Sequence, residues 1–458
     1  MSTARTAKPA GKTTASPGAR PTAVRVRMYN VGFGDCFLLT FSYAGGERHV
    51  LVDFGSTAGP KKLGKDYMAQ VAKDIKATCG DKLHMVVVTH RHRDHISGFA
   101  TDGDGTGKIV RDLHPDVVVQ PWTEDPKAQP TAKEAKASVY TNGKANFQAM
   151  TGHYLATLED MHAVADSVRK LAKGGTLAAG KKKTGEIEFL GEDNLKNLSA
   201  VANLMGMGKQ ATAIYVNAEM QLDKLLPKDL LPGVKITVLG PPTLKQSDKI
   251  RTERARDPSE FWQFRQFWGV QCAAAAAAAR QVDHLPLLNA RAVPEADYDP
   301  SLRWFIKKAL AIHADQMLEL VRDLDSVMNN TSVILLMEIG GQKLLFPGDA
   351  QIENWSYALQ NDAWRKLLAD VNLYKVGHHG SLNATPKSLW GLFKHKDREG
   401  AARLETMCST KAGKHGSVSA GTEVPRKPLV AELEAHSNFH STEAVRKNPL
   451  FDDVVLSI

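Results

Sequence analysis

Cysteine is scarce in this 458-residue chain: Cys36, Cys79, Cys272 and Cys408 lie far apart and form no CxxC pair. That excludes a disulfide framework and a cysteine zinc cluster, and it predicts small buried thiols in a reducing compartment. Long apolar runs are missing as well. No stretch of about 18 apolar residues occurs, which excludes a membrane span and predicts a soluble protein. Acidic residues are absent before Asp35, whereas Arg5, Lys8, Lys12, Arg20, Arg25 and Arg27 all precede it. Of the net charge of +9, these six leave only +3 for the remaining chain, so total charge says little about a nucleic-acid surface on the folded body. Residues 1–22, rich in Ala, Thr, Ser, Gly, Pro, Lys and Arg, read as a disordered basic tail able to add a nonspecific phosphate contact. That tail has neither the apolar core of a secretory signal nor the amphipathic pattern of a transit peptide, which points to the cytoplasm.

What is present is ordinary globular material, 43% apolar and 24% charged, which excludes wholesale disorder and a fibrous architecture. Val24, Val26 and Met28 alternate with Arg25, Arg27 and Tyr29, as a half-buried strand requires. A glycine turn at residues 31–35 follows. Two strands, 36–41 and 49–53, then form a hairpin around Ala44-Gly45-Gly46. A helix near residues 67–78 precedes apolar strands at 85–89 and 116–120. Beyond Pro121 a helical pattern (Tyr154, Leu158, Met161, Ala165, Val168, Leu171) marks an insert at about 122–232. A strand at 234–239 is followed by a second insert at about 244–325, which includes an alanine run at 273–279 and a helix from about 301 to 325. Strands resume at 332–339, 343–346, 371–376, 405–409 and 454–458. The expected organisation is therefore the tail and one domain, 23–458, carrying two inserts that offer a surface for a protein partner.

The densest chemistry is Thr89-His90-Arg91-His92-Arg93-Asp94-His95, directly after an apolar strand. A strand end holds its backbone rigidly, and three imidazoles with a carboxylate inside six residues can converge on a metal without ordering a long loop. An exposed turn that merely contains histidines is the bland alternative, and Asp94 wedged among them argues against it.

HxHxDH after a strand resembles the metallo-β-lactamase-fold hydrolases. Asp53, ending the strand Val50-Leu51-Val52, resembles the family's early aspartate that orients the metal ligands. Phe346-Pro347-Gly348-Asp349-Ala350 resembles its late Gly-Asp element, whose aspartate bridges two metals, and Val376-Gly377-His378-His379-Gly380-Ser381 its final histidine motif. Within that superfamily the chain is most similar to the soluble hydrolase domain of the competence DNA-uptake channel proteins, the ComEC-like group. The residues that carry this are Asn30 to Asp35, Val238 to Pro242, Asn330-Thr331-Ser332-Val333, and Lys375 ahead of His378-His379-Gly380-Ser381.

The resemblance implies an α/β fold, a four-layer αββα sandwich with helical insertions. It also implies two divalent ions, Zn or Mn, with His90 and His92 on one and Asp94 and His95 on the other. Asp349 would bridge them, and His378 or His379 would complete the second site. An extended backbone would send those two histidines to opposite faces, so one ligates and the other is free to donate to a leaving oxygen. Lys375 either contacts a phosphate or is a surface residue. The implied function is a metal-dependent phosphodiesterase or nuclease acting on nucleic acid. A hydrolase of a small ester, lactone, thioester or phosphoester is the alternative, and a binding module on a dead metal fold is the non-enzymatic one. His153 is the candidate for a middle ligand, Asn330 fits a reduced ligand set, and Lys414-His415-Gly416, loosely similar to the family's last loop, adds His415. His313 lies on an apolar helical stripe and reads as a core histidine. Trp262, Arg265 and Trp268 suit either base stacking or packing of the insert, and Lys181-Lys182-Lys183 reads as a solvated turn.

Overall fold

The computed structural model describes residues 20–126, 133, 138–141, 197–251, 328–383, 385–419, 421–444 and 448–458. His153, Lys181–Lys183, Trp262, Arg265, Trp268, Cys272 and His313 lie outside the described residues.

The chain is a mixed α/β protein built on two sheets. The first elements are β1 (Ala23–Tyr29), β2 (Cys36–Tyr43), β3 (Gly46–Phe54), α1 (Tyr67–Cys79), β4 (Met85–Val87), α2 (Arg93–Ile96), α3 (Thr106–Arg111) and β5 (Val117–Pro121). Next come β6 (Ser138–Thr141), α4 (Leu198–Gln210), β7 (Thr212–Val216), β8 (Val234–Gly240), β9 (Ile334–Ile339) and β10 (Gln342–Phe346). The remainder is α5 (Ile352–Ala358), α6 (Asp362–Ala369), β11 (Leu373–Lys375), α7 (Lys387–Leu392), β12 (Glu405–Cys408), α8 (Lys427–His436), β13 (Asn438–Ser441) and β14 (Phe451–Ser457).

The eight-stranded sheet runs β14-β1-β2-β3-β4-β5-β7-β6, the six-stranded sheet β13-β12-β11-β10-β9-β8. β1, β2 and β3 are antiparallel, with Tyr43 opposite Gly46 at the hairpin turn; β3, β4, β5 and β7 are parallel. Parallel strands are covered on both faces, which explains the unbroken apolar runs of β4 and β5.

Three apolar clusters follow from the alternation. Val24, Val26, Phe37, Val52 and Val87 of the large sheet share one core with Ile236, Leu335, Leu344 and Met407 of the small one. Leu38, Leu51, Val86 and Val118 face Val71 and Ile75 of α1, Val110 of α3, and Leu204 of α4. Leu336, Leu345 and Tyr374 face Trp355 of α5, Leu368 of α6, Trp390 of α7, and Leu433 of α8. α6 starts cleanly because the Asn361 side chain accepts from the amides of Ala363 and Trp364.

At the outer edges of the sheets, His440 of β13 lies between Asp452 of β14, at 2.8 Å, and Glu405 of β12, at 3.1 Å. The bond to Asp452 ties one edge strand to the other.

Two sequence expectations are corrected here. The tail to residue 22 is too long: Pro21 is buried, and Thr22 donates its amide to the Ser42 carbonyl and accepts from the Ile458 amide. The insert at 122–232 is also too long, because α4 packs on the large sheet and β7 sits inside that sheet beside β5.

Candidate metal centre

The strands that carry the motif residues end on one edge of the molecule. β3 delivers Asp53, β4 leads into residues 89–95, β10 into Asp349, and β11 into His378 and His379. Open α/β sheets place ligand sites outside the carboxyl ends of their strands in this manner. Thr89 fastens the arrangement: its amide and its hydroxyl donate to Oδ1 and Oδ2 of Asp53, each at 2.7 Å, and its carbonyl accepts from the Val333 amide of the other sheet. Glycine is required where the loops touch. A Cβ on Gly55 would lie 2.4 Å from the Asp94 carbonyl carbon, and one on Gly34 would lie 2.6 Å from the Asp94 oxygen.

Asp94, His95, Asp349 and His379 form a buried group that could hold a metal ion. His379 Nε2 is 3.1 Å from Asp94 Oδ2 and 3.5 Å from Asp349 Oδ2; His95 Nε2 is 3.1 Å from that same Asp349 oxygen. The far nitrogens are committed. His95 Nδ1 donates to Asp53 at 2.8 Å and His379 Nδ1 to the Ser409 carbonyl at 3.0 Å, which turns both Nε2 atoms towards the carboxylates. Thus Asp53 orients a histidine of that group without belonging to it. A second group, Asp35, Asp53 and His95, adjoins it.

Asp35 is the residue that sequence reasoning missed. In the sequence it ends a glycine turn and belongs to the segment Asn30 to Asp35 that resembles the ComEC-like group, with no role at the site; yet it is fully buried, its amide donates to the Asp94 carbonyl at 2.9 Å, and its carboxylate pairs with Lys375. An acid wedged between Gly34 and the apolar strand of Cys36 was the available signal.

Lys375 is neither a surface residue nor placed to meet a phosphate. It is 2% exposed, and its ammonium pairs with Asp35, donates to the Gly348 carbonyl at 2.9 Å and lies 3.5 Å from Asp349.

The expectation of an extended backbone at His378-His379 also fails. Both residues adopt positive φ, +41° and +53°, in a short turn that follows β11, so the rings are set by the turn and not by strand alternation. His379 is fully buried in the group, while His378 is partly exposed, with Nε2 3.8 Å from Asp349.

His90 and His92 are buried beside the group, with His90 Nε2 3.0 Å from His92 Nδ1, but among the described residues they join no set of three or more potential ligands. His415 reaches the same region. Its ring packs on Phe33, centroids 4.2 Å apart, and Phe33 packs on His379 at 4.4 Å. Asn330 is buried nearby, its carbonyl accepting from Asn354 at 3.2 Å.

No protein-family model and no curated protein matches this chain. The chemistry of the centre therefore has to be read from its own groups.

Four buried carboxylates, those of Asp35, Asp53, Asp94 and Asp349, face one lysine, a formal charge of −3 if the imidazoles are neutral. Without a metal the histidines are drawn into neutralising it. Burial opposes a charge on His95, but Asp349, Asp53 and Asp94 outweigh it and raise its pKa well above the usual imidazole range; burial likewise opposes a charge on His379, and Asp349, Asp35 and Asp94 outweigh it and raise its pKa. Burial likewise opposes ionisation of Asp94 and Asp349, and the neighbouring histidines prevail and hold both low. Asp53 goes the other way because burial dominates its bond to His95. His90 is lowered by burial and by the adjacent His95 and His92, and burial with neighbouring His379 lowers His378. Asp94 Oδ1 is buried with no hydrogen bond. An acidic set with oriented imidazole lone pairs and an orphaned carboxylate oxygen fits a divalent cation, whose binding would release the histidine protons.

Proposed function

We propose that this protein is a metal-dependent hydrolase of the metallo-β-lactamase fold, similar to the ComEC-like group, acting as a phosphodiesterase on nucleic acid. The observation that carries the metal reading is the convergence of Asp94, His95, Asp349 and His379 from three loops, the outermost 285 residues apart in sequence, with both imidazoles oriented from behind. The three apolar clusters support a four-layer αββα order, with one cluster between the sheets and one under the helices on either side. The choice of a phosphodiester substrate rests on the resemblance of the sequence motifs.

Two divalent ions, Zn or Mn, would supply a water of lowered pKa and stabilise charge on the attacked phosphorus. Asp94, His95, Asp349 and His379 would hold one of them, and His90 and His92 the other, with Asp349 shared. Asp53 and Ser409 fix the ring tautomers. Lys375 holds Asp35 and Asp349 from behind and keeps the carboxylate cluster from repelling itself apart in the empty protein. His378, partly exposed at the edge of the group, would donate a hydrogen bond to the leaving oxygen as a neutral ring. The protein is expected to be cytoplasmic; no helix among the described residues is long and apolar enough to cross a membrane.

The test is metal analysis of the purified protein, followed by turnover of bis-p-nitrophenyl phosphate, DNA and RNA with added Mn or Zn. Asp94→Ala and His95→Ala should each lower metal-dependent turnover at least a thousandfold while the far-ultraviolet circular dichroism stays unchanged. An Asp94→Ala protein with full metal-dependent turnover overturns the reading. Turnover of a small lactone or thioester without phosphodiester cleavage transfers the site to the alternative substrate class.

A further inference from the structure

The end of the large sheet opposite the candidate metal centre carries a cavity of about 740 Å³. The two are separated along β4: His84 precedes the strand and lines the cavity, whereas His90 to His95 follow it. The volume is that of a small-molecule site.

Its charge is opposite to that of the metal centre. Arg48, Lys82, Arg111 and Lys228 line it, against two acids, Asp116 and Asp229. Asp116 is already taken by Lys82 at 2.5 Å. Among the described residues no carboxylate lies within ion-pair distance of Arg48 or Lys228, and Arg111 has only Asp112, at 3.9 Å. Three cations therefore face the cavity with little to neutralise them.

His84 adds a directed donor. The residue is 8% exposed, and its Nδ1 accepts the amide of His49 at 3.0 Å, so the ring proton resides on Nε2, the nitrogen left to the cavity. Burial pushes its pKa down to about 3, and the charged neighbours acting on it, Arg48, His49 and Lys82, all press the same way. The imidazole is thus a neutral donor in a positive field. Two guanidinium forks, an ammonium and this N–H suit the several oxygens of a phosphate better than a single planar carboxylate. The lining also offers an acceptor: Asp229 is exposed and has no hydrogen bond or ion pair among the described residues. A bare anion would be repelled by Asp229, whereas a hydroxyl group on an organic phosphate could donate to it.

We propose that this cavity binds a small hydroxylated phosphate monoester at a site separate from the metal centre. The cations and His84 take the phosphate, and Asp229 takes a hydroxyl.

Calorimetric titration of the metal-loaded protein with ribose 5-phosphate at low salt tests this. Saturable binding is expected, tighter than that of inorganic phosphate, and it should weaken at least tenfold in Arg48→Gln/Lys228→Gln. Arg111→Gln, at the exposed end of its helix, should weaken it in the same direction and covers the case of a misfolded double variant. Asp229→Asn should narrow the gap between ribose 5-phosphate and inorganic phosphate. Asp94→Ala should bind as the wild type does, as should Lys61→Gln/Lys62→Gln, an exposed basic pair elsewhere. No saturable binding, wild-type affinity in both arginine variants, or equal loss in the Lys61/Lys62 control overturns the proposal. Loss confined to Asp94→Ala places the phosphate at the metal centre and overturns it too.

Discussion

Histidine meets carboxylates in two clusters of this protein, and the two are complete to different degrees. At the sheet edges, His440 has both ring nitrogens occupied, by Asp452 and by Glu405, and nothing is left over for a ligand. At the strand ends, His95 and His379 each commit one nitrogen to a protein acceptor and turn the other towards carboxylates that outnumber the cations. The residue types are the same. What separates a structural clasp from a candidate metal centre is the number of lone pairs and charges the chain leaves unmatched.

The contrast breaks most severely at Lys375. Lys375→Met would strand Asp35 and Asp349 as buried charges without their cation, and the metal-free protein should lose about 3–5 kcal/mol in urea unfolding. A loss under about 1 kcal/mol would mean that the carboxylates are not held together by this lysine. Asp53→Ala sharpens the contrast at smaller cost. It removes the acceptor of His95 Nδ1, so zinc affinity, measured by competition with a chromophoric chelator, should fall about 10–100-fold. Unaltered affinity would show that His95 needs no orientation from behind.

The smallest effect belongs to the closed cluster. Burial opposes a charge on His440, but Asp452 and Glu405 prevail and push its pKa up to about 9. A raised value stabilises the fold fully below the unfolded pKa, near 6.5, and the contribution is lost as pH rises through about 9. Because the ring is 26% exposed, screening reduces this to about 1–2 kcal/mol. Between pH 6.5 and 9.5 the wild type should therefore lose that much more stability than His440→Gln, and identical pH slopes would dissolve the clasp.

The legible parts of the sequence were those where one rule dominates. HxHxDH sits on a strand end because β4 is a pure apolar run, and Asp53 and Asp349 come directly after the apolar stretches Val50-Leu51-Val52 of β3 and Leu344-Leu345-Phe346-Pro347-Gly348 at the end of β10, so residue type and position agreed. Asp35 escaped because one acid in a glycine turn looks like any solvated turn; only its approach to Lys375, 340 positions away, makes it part of the centre. The contrast between His378 and His379 was invisible because it depends on two positive φ angles in a turn. α5, α6 and α7 span only six to eight residues each, about two turns, too few for a helical period to stand out. β13 reads Asn-Phe-His-Ser and is half-buried throughout, so it shows no alternation at all. β7 was lost inside a stretch whose composition reads as an insert.

The pairing of β1 with β14 makes the described chain nearly a closed ring: the Ile458 amide donates to the Thr22 carbonyl at 2.9 Å, and Arg27 holds Asp453 at 2.8 Å. Closing a loop of that length adds little to the thermodynamic cost, since each doubling of length is worth only about 0.6 kcal/mol. The burden falls on time. β1 is synthesised more than 400 residues before β14, and the edge that β14 covers has no strand partner until that strand has been made. Completion of the large sheet is thus necessarily a late event, one that depends on order of synthesis more than on local preference.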